Sequence, residues 1–178
     1  MSGGMGNFAI SSPAQNLKGF QLLASVVQAA PAATLTTGTF PARRFLKLEI
    51  SAEPFAGNEN LCIQFNGDTA AHYSTRMSYN NGAESTAINE AFGRLATSAS
   101  TLRYYGVVDI NNQTSPATAK RCIVAGSTGG TAGDTPNSYA GRIAWANTTD
   151  AITSIQITSS TGAQNIVADS RIDVYGAD

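Results

Sequence analysis

One histidine, two cysteines and twelve carboxylates limit the chemistry open to this chain of 178 residues. His72 alternates with Ser74 and Arg76, and Asp68 lies just upstream, so the residue types of a hydrolytic triad occur within one stretch. A nucleophile must lie within hydrogen-bond reach of its base, whereas i and i+2 neighbours on a strand stand about 7 Å apart at the backbone. The expectation is a polar outward face available for contact, with no catalytic residues. A closed zinc site needs more His and Cys than are present. Asn58, Glu59, Asn66, Asp68 and Asp134 fall in turn-rich stretches where calcium can bind, but none follows the spaced acidic pattern of a calcium loop, so no metal or other cofactor is expected. Glu49 and Asp109 read as ordinary outer-face charges, not as the paired carboxylates of a glycosidase. No glycine motif is followed by the Lys-Ser/Thr of a phosphate cradle. Asn112-Gln113-Thr114 and Asn147-Thr148-Thr149 match the N-glycosylation pattern, which chance explains in a chain so rich in Asn and Thr. Cys62 and Cys122 sit among apolar neighbours and read as buried, inert thiols, although spacing alone leaves a bridge between them open.

The elements that position these residues are strands. Leu61, Ile63 and Phe65 recur every second residue, as do Tyr73, Met77 and Tyr79, with the turn formers Asn66, Gly67 and Asp68 between them and Asn80-Asn81-Gly82 after. Leu46, Leu48 and Ile50 alternate with Lys47 and Glu49. Leu102, Tyr104, Val108 and Ile110 alternate with Arg103 and Asp109, and Tyr139, Ile143 and Trp145 lie opposite Arg142. Ala119 to Ala125 is a strand of mixed alternation. Ile155, Ile157, Ile172 and Val174 are core candidates, and a buried Trp145 needs an acceptor for its indole N–H. Thr86 to Ser98 carries Ile88, Phe92 and Leu95 at helical spacing, which predicts a short helix or a loop folded over one end. Gly126 to Asn137 predicts a glycine-rich loop.

These strands imply an all-β fold, a jelly-roll-like β-sandwich of about eight strands over residues 42–178. Residues 1–41 differ: nearly uncharged and broken by Gly and Pro, they read as an extended N-terminal arm. Within it Phe20, Leu22 and Val26 fall on one side of a strand and Leu23 and Val27 on the other. Both sides must then be covered, by the same domain or by a neighbouring subunit, which makes these five the candidate inter-subunit contacts.

Charged residues are only 13% of the chain and the formal net charge is −1, which argues against sequence-independent nucleic-acid binding. No apolar run approaches the ~20 residues of a membrane span, and MSGGMGNF lacks the features of a signal peptide. The expectation is a protein made in a cytoplasm, with no membrane and no nucleic-acid partner.

The run FNGDTAAHYSTRMSYNNG, Phe65 to Gly82, resembles a stretch of small structural proteins of tailed bacteriophages and prophages, in which a strand ends in FN-D and the next opens with a Tyr followed by an Arg. WANTTDAITSIQI, from Trp145, and the closing SRIDVYG, from Ser170, are similar to the end of the same proteins. The resemblance covers Arg44 to Gly176 and omits the arm. It implies a virion component with a β-sandwich core that assembles as an oligomer, often a trimer, and it supplies no catalytic residues.

The leading expectation is thus a non-enzymatic capsid decoration, or cement, protein located in the virion. Its partners would be itself, as a homotrimer, and the major capsid protein or other virion proteins. The alternative is a tail-fibre, baseplate or spike module binding a host-surface glycan through His72, Arg76, Asn80, Asn81, Tyr105 and the loop after Gly126.

Overall fold

The computed structural model describes residues 19–52, 59–97, 103–114, 117–129 and 135–178. Their twelve strands are β1 (Gln21–Val27), β2 (Thr34–Thr36), β3 (Phe45–Ala52), β4 (Leu61–Phe65), β5 (Tyr73–Tyr79), β6 (Ser85–Glu90), β7 (Gly93–Ala96), β8 (Tyr104–Asn111), β9 (Lys120–Thr128), β10 (Asn137–Trp145), β11 (Ile155–Ser159) and β12 (Arg171–Ala177). They form an all-β sandwich of two antiparallel sheets. The large sheet has the order β1-β12-β3-β8-β9-β10-β5-β6 and the small one β2-β11-β4-β7. Ten strands follow Pro41, two more than the sequence suggests, because the stretch read as helix or loop makes β6 and β7.

That correction has a local cause. Asn89 adopts a left-handed backbone (φ 57°) and is the extra residue where the β5–β6 register slips. The slip breaks the helical spacing into two strands, with Ile88 exposed on β6 and Leu95 buried on β7. Gly93 is needed there, since a Cβ would fall within 3.0 Å of Ile143 in the facing sheet.

Alternation holds elsewhere. Leu46, Leu48 and Ile50 are buried, as are Tyr104, Val108 and Ile110, Tyr139, Ile143 and Trp145, and Ile155, Ile157, Ile172 and Val174. Leu102 lies outside the described residues. Both expected turns form: Asn66 and Gly67 have positive φ with Asp68 N bonded to Phe65 O, and Asn80 and Asn81 repeat the pattern with Gly82 N on Tyr79 O. Gly, and among side-chain-bearing residues Asn and Asp, enter this region most cheaply.

The residues read as an arm contribute to both sheets from residue 19 onward. β1 pairs with β12, β2 pairs with β11, and Leu35 and Phe40 are buried. Residues 1–18 lie outside the described set. On β1 a bulge between Leu22 and Ala24 changes the expected faces. Leu23, Ala24 and Val26 pack on the core, while Phe20, Leu22 and Val27 point away from it. The sequence pairs Val26 with Leu22, but the extra residue reverses the alternation between them.

Gly126 belongs to β9, so the glycine-rich connection is shorter than expected, and Gly106 and Gly126 are a register pair on β8 and β9. The fully buried Tyr104 lies across both, and a Cβ on either would come within 3.0 Å of its ring. Its hydroxyl has no hydrogen-bond partner among the described residues. An unmade buried hydrogen bond costs stability, and removing the group removes that cost. Tyr104→Phe is expected to leave stability unchanged or raise it by up to about 1 kcal/mol. Gly126→Ala is expected to cost about 1–3 kcal/mol from overpacking, and less when combined with Tyr104→Phe; urea denaturation of the three variants checks this.

Candidate functional site: the outer face of the large sheet

One side of the large sheet packs on the small sheet, and the other faces solvent. The described residues include eight exposed large hydrophobic side chains: Phe20, Leu22, Val27, Phe45, Tyr79, Ile88, Tyr105 and Ile123. All but Tyr79 belong to the solvent face. Register places Val27 beside Arg171, Leu22 beside Tyr175, Phe45 beside Asn111, Tyr105 between Ser51 and Ser127, Ile123 between Asp109 and Arg142, and Ile88 beside Ser74. Phe20, just before β1, lines a shallow depression of about 550 Å³ with Phe45, Ile123, Arg121 and Asp178.

The face has two unlike halves. On β1, β3 and β8 lie Leu22, Val27, Phe45 and Tyr105, with Phe20 just before β1 and β12 between β1 and β3. The charges there are mixed: Arg171 Nε bonds Asp173 Oδ2 at 2.7 Å and Lys47 stands across from Asp109, while Glu49 stands across from Asp173. On β9, β10 and β5 lie Arg121, Arg142 and Arg76. Arg76 pairs with Glu84, but no ion pair forms on Arg121 or Arg142 among the described residues.

The five residues singled out for recognition do not converge. His72 precedes β5, whereas Asn80 and Asn81 follow it, and seven residues of strand (about 3.3 Å each) separate them. Asn80 is occupied: Nδ2 donates to Asn137 Oδ1 (2.9 Å), and Oδ1 accepts from Ser138 N (2.7 Å). Arg76 sits mid-strand on the outer face, with β9 and β10 between it and Tyr105. The residues that the sequence reading missed are Arg121, Arg142, Ile123 and Ile88. A signal existed in the mixed alternation near Ala119 to Ala125, where Ile123 is apolar at an outward position between Arg121 and Ala125 and Lys120 is charged at an inward one.

His72 is tied to structure rather than to a nucleophile. Its Nδ1 lies 2.9 Å from Asp68 Oδ2, the same oxygen that accepts the Trp145 indole N–H at 2.7 Å, while Oδ1 accepts the Ala70 N–H at 2.9 Å. Asp68 is thus the acceptor that Trp145 requires. Lys120 is buried, donates to the Asn147 carbonyl at 2.7 Å and lies over the Trp145 ring, and burial lowers its pKa. Cys62 and Cys122 are free and buried in different sheets; burial pushes the Cys62 thiol well up and that of Cys122 to about 12, so neither is poised as a nucleophile. Asn112 is almost fully buried, with Nδ2 donating to the Arg43 and Ile152 carbonyls at 2.9 and 3.1 Å, so its amide is not presented as a glycan acceptor. Among the described residues no three His, Cys, Asp or Glu side chains could hold a metal ion; Asn58 and Asp134 lie outside them.

No protein-family model matches the chain, and no curated protein or solved structure is significantly similar to it. The outer face has to be read from its own chemistry.

Burial raises the pKa of Asp68, but the donors on Trp145, His72 and Ala70 outweigh it and hold the carboxyl below its ordinary value. A carboxyl lowered in the folded state stabilises fully above its unfolded pKa near 4 and loses that contribution as pH falls through the folded value. Stability followed by Trp145 fluorescence is therefore expected to fall as the pH drops below about 4. Asp68→Ala is expected to lose about 1–3 kcal/mol at neutral pH and to flatten the acid limb of that profile.

Proposed function

We propose that this chain is a non-catalytic structural protein of a tailed-bacteriophage particle, a decoration or cement protein that trimerises and stabilises the head lattice. On this reading it works by contact. The observation that carries it is the apolar half of the outer face together with the β1 edge beside it. β1 ends the large sheet, carries no charged residue in QLLASVV and exposes Leu22 and Val27. Sheet edges left open in solution are normally guarded by Lys, Pro or inward charges; β1 has only its bulge, and among the described residues the run Ala24 to Val27 pairs with β12 on one side alone.

An apolar edge of this kind gains from being covered, by strand addition and by burial of its outward side chains. Four strands at a spacing of about 4.8 Å and roughly 25 Å in length give a half-face on the order of 400–500 Å², which the exposed apolar side chains share with Lys47, Asp109 and Arg171. Such contacts depend little on salt, in keeping with a chain whose charged content is 13%. The resemblance of Phe65 to Gly82 and of the last strands to phage structural proteins supplies the particle, and the fold is compatible with it.

The test is attachment. Leu22→Asp with Val27→Asp alters two outward side chains and leaves the inward Leu23 and Val26 untouched, so the sandwich is expected to fold with an unchanged circular dichroism spectrum. Binding to particles stripped of this protein is expected to fall at least tenfold at both low and high salt. Full attachment of the double variant would overturn the docking role of β1.

A further inference from the structure

The basic half of the outer face does not follow from docking through the apolar half. Arg76 on β5 and Arg142 on β10 are register partners, standing directly opposite each other, and Arg121 on β9 lies one pair further along on the same side. Like charges directly opposite on a sheet destabilise it. Among the described residues only Arg76 of the three has a counter-ion, Glu84. The three side chains line a concavity of about 450 Å³ together with Ser74, Thr86, Ile88 and Ile123. That volume lies within the range of small-ligand sites, roughly 300–1,000 Å³.

We infer that this basket is a binding site for a small organic carboxylate of the sugar-acid type. A guanidinium presents a planar fork of donors that matches a carboxylate in two-point contact, and Arg121 and Arg142 have theirs uncommitted. Ser74 and Thr86 offer hydroxyls that both donate and accept, suited to the hydroxyls of a sugar ring. Ile88 and Ile123, 66% and 62% exposed, wall the depression with aliphatic surface for the C–H faces of that ring. A bare inorganic anion would use the arginines and leave both the hydroxyls and the apolar walls idle, so the whole lining fits a charged group on a hydroxylated, partly apolar body. Arg121 and Ile123 also line the depression beside Phe20 and Phe45, so sugar-acid binding is read on the free chain, where its failure is distinguishable from a failure of particle attachment through β1.

The test is calorimetric or NMR titration of the full chain with glucuronate and with N-acetylneuraminate, with glucose and inorganic phosphate as the neutral and inorganic arms. Binding of at least one sugar acid is expected, with glucose and phosphate each at least tenfold weaker. Arg142→Ala and Arg121→Ala, both at exposed positions, are each expected to weaken sugar-acid binding by tenfold or more, and Arg142→Lys to restore only part of it because the fork is lost. Absence of sugar-acid binding, phosphate binding as tight as sugar acid, or undiminished binding in both alanine variants would overturn the assignment.

Discussion

The two sheets are held together where Phe65, Tyr73 and Trp145 meet, and that junction depends on one carboxylate. Phe65 comes from the small sheet and the other two from the large one, with ring centroids 5.6–6.4 Å apart. Burying a Trp and a Tyr leaves an indole N–H and a phenol to be satisfied. Asp68 takes the indole, and the Tyr73 hydroxyl accepts the Phe65 N–H at 2.8 Å. The turn that carries Asp68 is set by Asn66 and Gly67 in left-handed conformations, so local backbone chemistry delivers the acceptor to an apolar junction built by distant strands. His72 is recruited to the same oxygen, and the only imidazole of the chain is thereby committed to architecture.

With the core closed in this way, the unequal division of the strands decides what is left over. Four strands cannot cover both sides of eight, and the outer side of the large sheet remains a broad surface with solvent-facing apolar side chains. Its composition changes from one side to the other. Toward β1 the surface mixes apolar side chains with charges of both signs, and the last strand has an uncharged edge that is unpaired among the described residues. Toward β5 and β6 it is concave and holds two arginines without counter-ions among the described residues. The first arrangement suits contact with another protein surface and the second suits an anion, so the functional reading rests on a sheet face and not on any catalytic constellation.

The alternation of Leu46, Leu48 and Ile50 and of Tyr139, Ile143 and Trp145 made the sandwich legible in the sequence, because period two fixes which side is buried once one side is. The turns at Asn66-Gly67 and Asn80-Asn81 were legible for a similarly local reason, the ease with which Asn and Gly reach positive φ. What the sequence hid were slips of register. The bulge at Leu23 and the extra residue at Asn89 each invert the pattern downstream, and neither leaves a mark that spacing alone reveals. Tyr104 spanning the paired glycines was equally hidden, since Gly106 and Gly126 become neighbours only through the β8–β9 register. The arginine basket required three strands to be placed side by side, and only its outward Ile123 showed in the sequence as an irregularity.

The proposed role is that of a stoichiometric contact protein of a phage particle. The most direct measurement is its copy number in purified particles, by quantitative mass spectrometry against the major capsid protein. A decoration protein predicts a fixed ratio on the order of one copy per capsid subunit, retained through high-salt washing. A handful of copies per particle, or none, would rule out that role.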